Sequence, residues 1–176
     1  MFLGLASFGP VNQTNHQAVF FDIPPIIHVL DIEKISVTAL DKITQRINLH
    51  GDPDGVATPR PLLTLEEFFE GNDVLGSIGR NLETAPVPAE FYALLLRIRK
   101  MRDVADVRVQ VTAFDSPDWP FSDTVWIVTS EPPEEVSTWF PEHLMPDDCW
   151  WGWVEGQSYE AIEMPPDMEP VACWWD

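Results

Sequence analysis

Lysine and arginine are scarce in this sequence, ten in 176 residues, and none lies beyond Arg108. Histidine (four), tyrosine (two) and cysteine (two) are also few. Each shortage excludes something. A C-terminal third without cations cannot neutralise phosphates or an anionic leaflet, so nucleic acid and membrane are disfavoured as direct partners. Two cysteines, Cys149 and Cys173, make no disulfide framework. They could pair, and two thiols fit a reducing compartment equally well. The opening MFLGLASFGP has no basic n-region, and its apolar run is too short for a signal peptide. No apolar run approaches the roughly 20 residues that span a bilayer. A cytoplasmic location is the expectation.

What is present belongs to a folded protein. Hydrophobic residues make up 45% and aromatics 11%, which separates the chain from a disordered acidic tail. The seventeen prolines fall mostly between periodic segments and read as loop punctuation. The net charge of −19 is unevenly placed. Residues 1–108 carry all ten Lys and Arg against fourteen acids, net −4, and residues 109–176 carry fifteen acids and no Lys or Arg, net −15. Such an excess costs stability by self-repulsion. It serves either solubility or attraction to a positive surface.

Hydrophobic spacing sets the expected elements. Residues 17–23 and 25–32 read as strands kept apart by Pro24-Pro25. Val37, Leu40, Ile43 and Ile47 share one helical face, with Ser36 as N-cap and Gly51 past the end. Residues 51–63 form a turn-rich connector. Thr64 and Glu67 make a capping box for a short helix to about Glu70, and residues 71–81 a glycine-punctuated loop. Residues 88–102 are the clearest helix, striped by Phe91, Leu94, Leu95, Ile98 and Met101. Residues 104–114 alternate as a strand with Ala105, Val107, Val109 and Val111 on one side, and pair with a strand over 124–130. A helix follows over 132–140; beyond Pro141 periodicity disappears. The order β-β-α-α-α-β-β-α predicts an α+β fold, helices on one face of a mostly antiparallel sheet, with an irregular Pro- and Trp-rich C-terminal segment. The expected domain is single, 1–176, divisible into a subelement over 1–60 and a main unit over 61–176.

Motifs for chemistry are weak. Gly71–Gly79 has glycines at phosphate-loop spacing, but no Lys-Ser/Thr follows and acids precede it, so a turn needing positive φ is the simpler reading. His50 to Gly55 lacks the later ligands of a calcium loop, and His143, Asp147, Asp148 and Cys149 lack the paired spacing of a zinc site. His28 reads as a hydrogen-bonded core histidine, and His16 has no partner nearby in sequence. No nucleophile motif occurs. Neither cofactor nor metal is expected, and an enzyme is the less favoured class. Arg97, Arg99, Lys100 and Arg102 cluster where cations complement a helix C-terminus.

The aromatic-acidic region carries the preferred reading. Trp150, Trp151 and Trp153, set among Asp147, Asp148, Glu155, Asp118 and Asp123, suit a face where indoles anchor and carboxylates steer a basic partner protein. The alternative is a tail that packs back and closes the core with its rings. A second candidate, for a small enzyme or small-molecule binder, is a pocket near 64–81 built from Glu67, Glu70, Asp73 and Arg80.

The stretch LTLEEFFEGNDVLGSIG (63–79), then a helix, an alternating strand, WPFSDTVWIVTS (119–130) and a helix, is similar to small acidic uncharacterised bacterial proteins over about residues 62–140. Proteins of that type resemble immunity proteins of contact-dependent toxin systems. That resemblance implies a basic toxin as partner and assigns no residue a role.

Overall fold

The computed structural model describes residues 37–49 and 59–176. The expected strands at 17–23 and 25–32, together with His16, His28 and the 50–55 loop, lie outside the described residues. Among the described residues no helix is long and apolar enough to cross a membrane.

Four helices and five strands organise the rest: α1 (Ala39–Asn48), β1 (Leu62–Thr64), α2 (Leu65–Phe69), α3 (Pro88–Arg99), β2 (Val104–Gln110), β3 (Thr124–Thr129), α4 (Pro133–Ser137), β4 (Asp148–Trp151) and β5 (Glu169–Trp174). The sheet runs β1-β2-β3-β5-β4, with every neighbour antiparallel. This is the expected α+β arrangement.

Local chemistry sets the helix starts. Helix α1 begins after Thr38, whose hydroxyl accepts from the Asp41 N–H at 3.0 Å while Asp41 accepts from the Thr38 N–H. The N-cap is thus Thr38 rather than Ser36. Val37 falls before the helix and is exposed, leaving Ile43 and Ile47 as its buried stripe. Helix α2 starts with the same device, Thr64 against Glu67. Helix α3 places Pro88 in its first turn, where the missing N–H is harmless, and buries Phe91, Leu94, Leu95 and Ile98.

The helix-facing side of the sheet holds the main core. Val107 and Val109 of β2, Val125 and Ile127 of β3, and Val171 and Cys173 of β5 pack with Phe68, Phe91, Leu95 and Ile98. Trp175 closes its end against Phe91 and Phe140, donating from Nε1 to the Leu144 carbonyl at 3.2 Å. Strand β3 is buried at all six positions, as a central strand covered on both faces should be.

Three further expectations need correction. Ala105 does not share a face with Val107. The β2–β3 register shifts between Val104 and Asp106, so Ala105 is the extra residue of a bulge; it is exposed, and Val104 is buried in its place. The segment after Pro141 is not irregular throughout. It supplies β4 and β5, and β5 lies inside the sheet between β3 and β4. Likewise the 51–63 connector gives its last residues to β1.

Candidate functional site

The second face of the sheet is partly covered by the chain after β4. Trp153 packs edge-on against Trp126 at 5.0 Å between centroids, and Ile162 joins Leu62, Trp126, Val128 and Ala172 in a smaller apolar cluster. Segment 157–160 also seals the β1 edge: Arg60 N–H donates to the Gln157 carbonyl at 2.9 Å, and the Tyr159 N–H to the Arg60 carbonyl at 3.2 Å.

Beyond this cover the face opens into a groove of about 530 Å3. Gln110 and Thr112 enter it from the β2 side, Asp123 from just before β3, Thr124 from β3, and Asp148, Trp150 and Trp174 from β4 and β5. The polar residues follow from strand alternation: the apolar positions face the helices, so Arg108, Gln110 and Thr112 face the other way. Asp123 is held in place by the Thr112 hydroxyl at 2.5 Å and the Thr124 hydroxyl at 2.7 Å. Gln110 accepts from Trp126 Nε1 at 3.1 Å, and an Arg60 guanidinium N–H donates to the Thr112 carbonyl at 2.6 Å. Trp150 and Trp174 meet at 6.4 Å and 68°, forming an aromatic wall.

Strand β4 borders the groove and is an edge strand; among the described residues no strand pairs with its outer side. Its alternation matters. Trp150 lies opposite Ala172 on the groove face, whereas Trp151 lies opposite Val171 on the helix face. Both rings are exposed, at 38% and 41%. An indole therefore flanks each side of the strand's outer edge. Asp147 and Asp148 stand exposed at its start, and Asp147 accepts from the Asp176 N–H at 2.8 Å, which brings a third carboxylate to that end.

The eight residues expected to bind a partner divide accordingly. Asp123, Asp148 and Trp150 converge on the groove; Trp151 lies on the opposite face of β4, and Asp147 just before that strand. Trp153 turns inward onto Trp126, as the packed-tail reading expects of it. Glu155 is exposed in the following turn. Asp118 is exposed in the β2–β3 connection, where its neighbour Trp119 is buried and donates to the Phe68 carbonyl over α2. Trp150 and Trp151 are strand residues and not part of the irregular segment expected beyond Pro141. Sequence reasoning missed Gln110, Thr112, Thr124 and Trp174 as groove residues; the polar side of the 104–112 alternation was the visible signal for Gln110 and Thr112 alone.

Of the residues named for the alternative pocket, Glu67 and Glu70 share a cavity. A cavity of about 430 Å3 between α1 and α2 is lined by Lys42, Arg46, Glu66, Glu67 and Glu70. Three of its charged groups, Arg46, Glu66 and Glu67, are paired. Arg46 bonds Glu67 at 2.9 Å and Glu160 at 2.5 Å, and Arg99 clasps Glu66 with two N–H groups. Burial works against the Arg46 charge, but Glu160 and Glu67 outweigh it and raise its pKa. The bond from Arg99 lowers the Glu66 pKa. Asp73 is exposed, and Arg80 lies 4.8 Å over the Phe121 ring, so neither joins the cavity lining. Gly71, Gly76 and Gly79 all take positive φ, as the turn reading of that loop required. His143 bonds Glu90 at 2.7 Å on the surface.

Residues 38–173 match the uncharacterized protein YfbO family, and the chain belongs to it. It is 46% identical over 140 residues to uncharacterized protein YfbO of Escherichia coli strain K12, an alignment covering 80% of this chain and all of the relative. No solved structure matches.

Proposed function

We propose that this member of the YfbO family is an acidic binding protein that captures an extended basic segment of a partner protein along β4 and masks it, in the manner of an immunity protein or antitoxin. The observation that carries this reading is the outer edge of β4, which has an exposed indole on each face and carboxylates at its start. A strand added there would form main-chain hydrogen bonds to the edge and set alternate side chains against Trp150 and Trp151. Asp147, Asp148, Asp123 and Asp176 favour lysine or arginine in that strand, over the indole faces or paired with the acids. Edge strands in other proteins are commonly blocked by lysine, proline or a covering loop, and β4 itself contains neither lysine nor proline.

Binding of extended Lys/Arg-rich and Asp/Glu-rich peptides, followed by tryptophan emission, tests this. The basic series should bind and the acidic series should not. Trp150→Ala and Trp151→Ala should each weaken binding ~10-fold or more while leaving the melting temperature nearly unchanged. Peptides N-methylated at alternate amides should lose affinity in one register. Equal binding of both series, or indifference to both tryptophan changes, would refute the reading.

A further inference from the structure

We propose that Cys149 and Cys173 form a dithiol that exchanges with small disulfides, Cys149 as the attacking sulfur and Cys173 as the resolving one. This inference is independent of the binding proposal above.

The register places the two residues directly opposite each other on β4 and β5, with their sulfurs 3.5 Å apart. The Trp175 N–H donates to the Asp123 carbonyl, so alternation along β5 also turns the Cys173 N–H and C=O toward β3. Cys149 and Cys173 are therefore a non-hydrogen-bonded cross-strand pair, the kind in which side chains approach most closely. The Cys149 N–H accordingly bonds the Asp148 carboxylate at 2.8 Å. A disulfide requires the sulfurs to close to about 2.05 Å, which small χ rotations in such a pair can supply.

The sulfurs differ in access. Cys173 is fully buried in the core. Cys149 is half-buried and lines a surface cavity of about 380 Å3 with Pro133, Ser137, Met145 and the acids Glu134, Asp147 and Asp148. A small disulfide can reach Cys149 and not Cys173. Proton placement agrees: the adjacent Cys173 thiol lowers the Cys149 pKa, and burial pushes the Cys173 pKa well up. Of the two, Cys149 is therefore the thiol that ionises more readily, and the thiolate is the nucleophile.

The chemistry balances with a low-molecular-weight disulfide, RS–SR, as oxidant. Cys149 Sγ attacks one sulfur; the S–S bond breaks, and the leaving thiolate takes up the proton that Cys149 gave up. The Cys173 thiol then loses its proton and attacks Cys149 Sγ. That step expels the second thiolate, which accepts the proton. The protein loses two electrons and two protons, and two RSH form. The three acids around the cavity set a preference: a cationic disulfide such as cystamine should react faster than anionic glutathione disulfide.

The test uses the reduced full chain, incubated with cystamine or glutathione disulfide at low and high salt, alkylated, and read by mass spectrometry. Wild type should end as a monomer about 2 Da lighter, with a transient adduct on Cys149. Cys173→Ser should stop at the Cys149 mixed disulfide, and Cys149→Ser should stay unmodified. Cystamine should lead by ~10-fold at low salt, with the lead shrinking as salt rises. If Cys173→Ser does not fold, Cys173→Ala and rapid alkylation of wild type map the first adduct. A first adduct on Cys173, a wild-type mixed disulfide that persists, or no reaction with either reagent overturns the proposal.

Discussion

Arg46 shows how one cation among many acids is spent. It lies on α1, yet its guanidinium reaches Glu67 of α2, Glu160 of the C-terminal cover and the Leu62 carbonyl of β1. It ties together three segments far apart in sequence. Its side chain and that of Glu160 are 20% and 18% exposed, so removing one partner leaves the other charge poorly hydrated. Arg46→Met should destabilise by about 2 kcal/mol, below the range for a fully buried pair because some solvent reaches both groups. Adding Glu160→Gln should recover part of that loss, since the group that faced Arg46 is then neutral and keeps an oxygen to accept from the Leu62 N–H. Chemical denaturation of the single and double variants reads both numbers. Equal stability of Arg46→Met and wild type would mean that the bridge is only a surface contact. The Arg99–Glu66 pair is more open, with Glu66 at 41%, and would give a smaller effect.

Elements differ in how plainly the sequence announces them, and the reason is whether their determinants are local. The capping box of Thr64 and Glu67, Pro88 at the start of α3 and the apolar stripe of α3 are each set by residues a few positions apart, and each was legible. The bulge at Ala105 was not, because it is defined by what β3 places opposite it. Strand β5 was hidden twice over. Burial on both faces removes its alternation, and Pro170 argues against a strand inside a sheet. The structure resolves that conflict: alternation along β5 points the Pro170 ring nitrogen toward the β4 side, and β4 ends at Trp151 opposite Val171, where no N–H is needed. Strand β4 is four residues long, too short for periodicity to show. The site shared this fate. Its acids and indoles stood out in composition, but Gln110, Thr124 and Trp174 become neighbours only through pairing. The bulge is open to direct test. Simple alternation would bury Ala105 beside Val107, so Ala105→Lys would unfold the protein. With the bulge, Ala105→Lys should change stability by less than about 0.5 kcal/mol, while Val107→Lys should abolish folding. Circular dichroism melts of the two variants distinguish the arrangements.

At the scale of the whole molecule the dominant quantity is a net charge of −19, and it acts on folding and on binding with opposite signs. The five ion pairs that join Arg46, Arg99, Arg102 and Arg108 to acids favour the folded state. They engage five acids, Glu66, Glu67, Asp103, Asp106 and Glu160, while the net negative charge of the chain is self-repulsive. Salt screens both terms. At about 10 mM the screening length is about 30 Å, and at about 0.15 M it falls to about 8 Å, so long-range repulsion fades while short, partly buried pairs persist. The melting temperature should therefore rise by several degrees between about 10 and 300 mM NaCl. Choline chloride should give the same rise, because screening does not depend on which cation supplies it. A rise with sodium alone would indicate specific cation binding, and a fall would mean that the ion pairs outweigh the repulsion. Over the same interval the affinity for a basic peptide should drop, because the field that destabilises the free protein is the one that draws a cationic strand to β4. A protein that grows more stable as its binding weakens, across a single salt titration, is the behaviour expected of a charge distribution that serves capture; parallel change in the two quantities would assign the acidity to solubility.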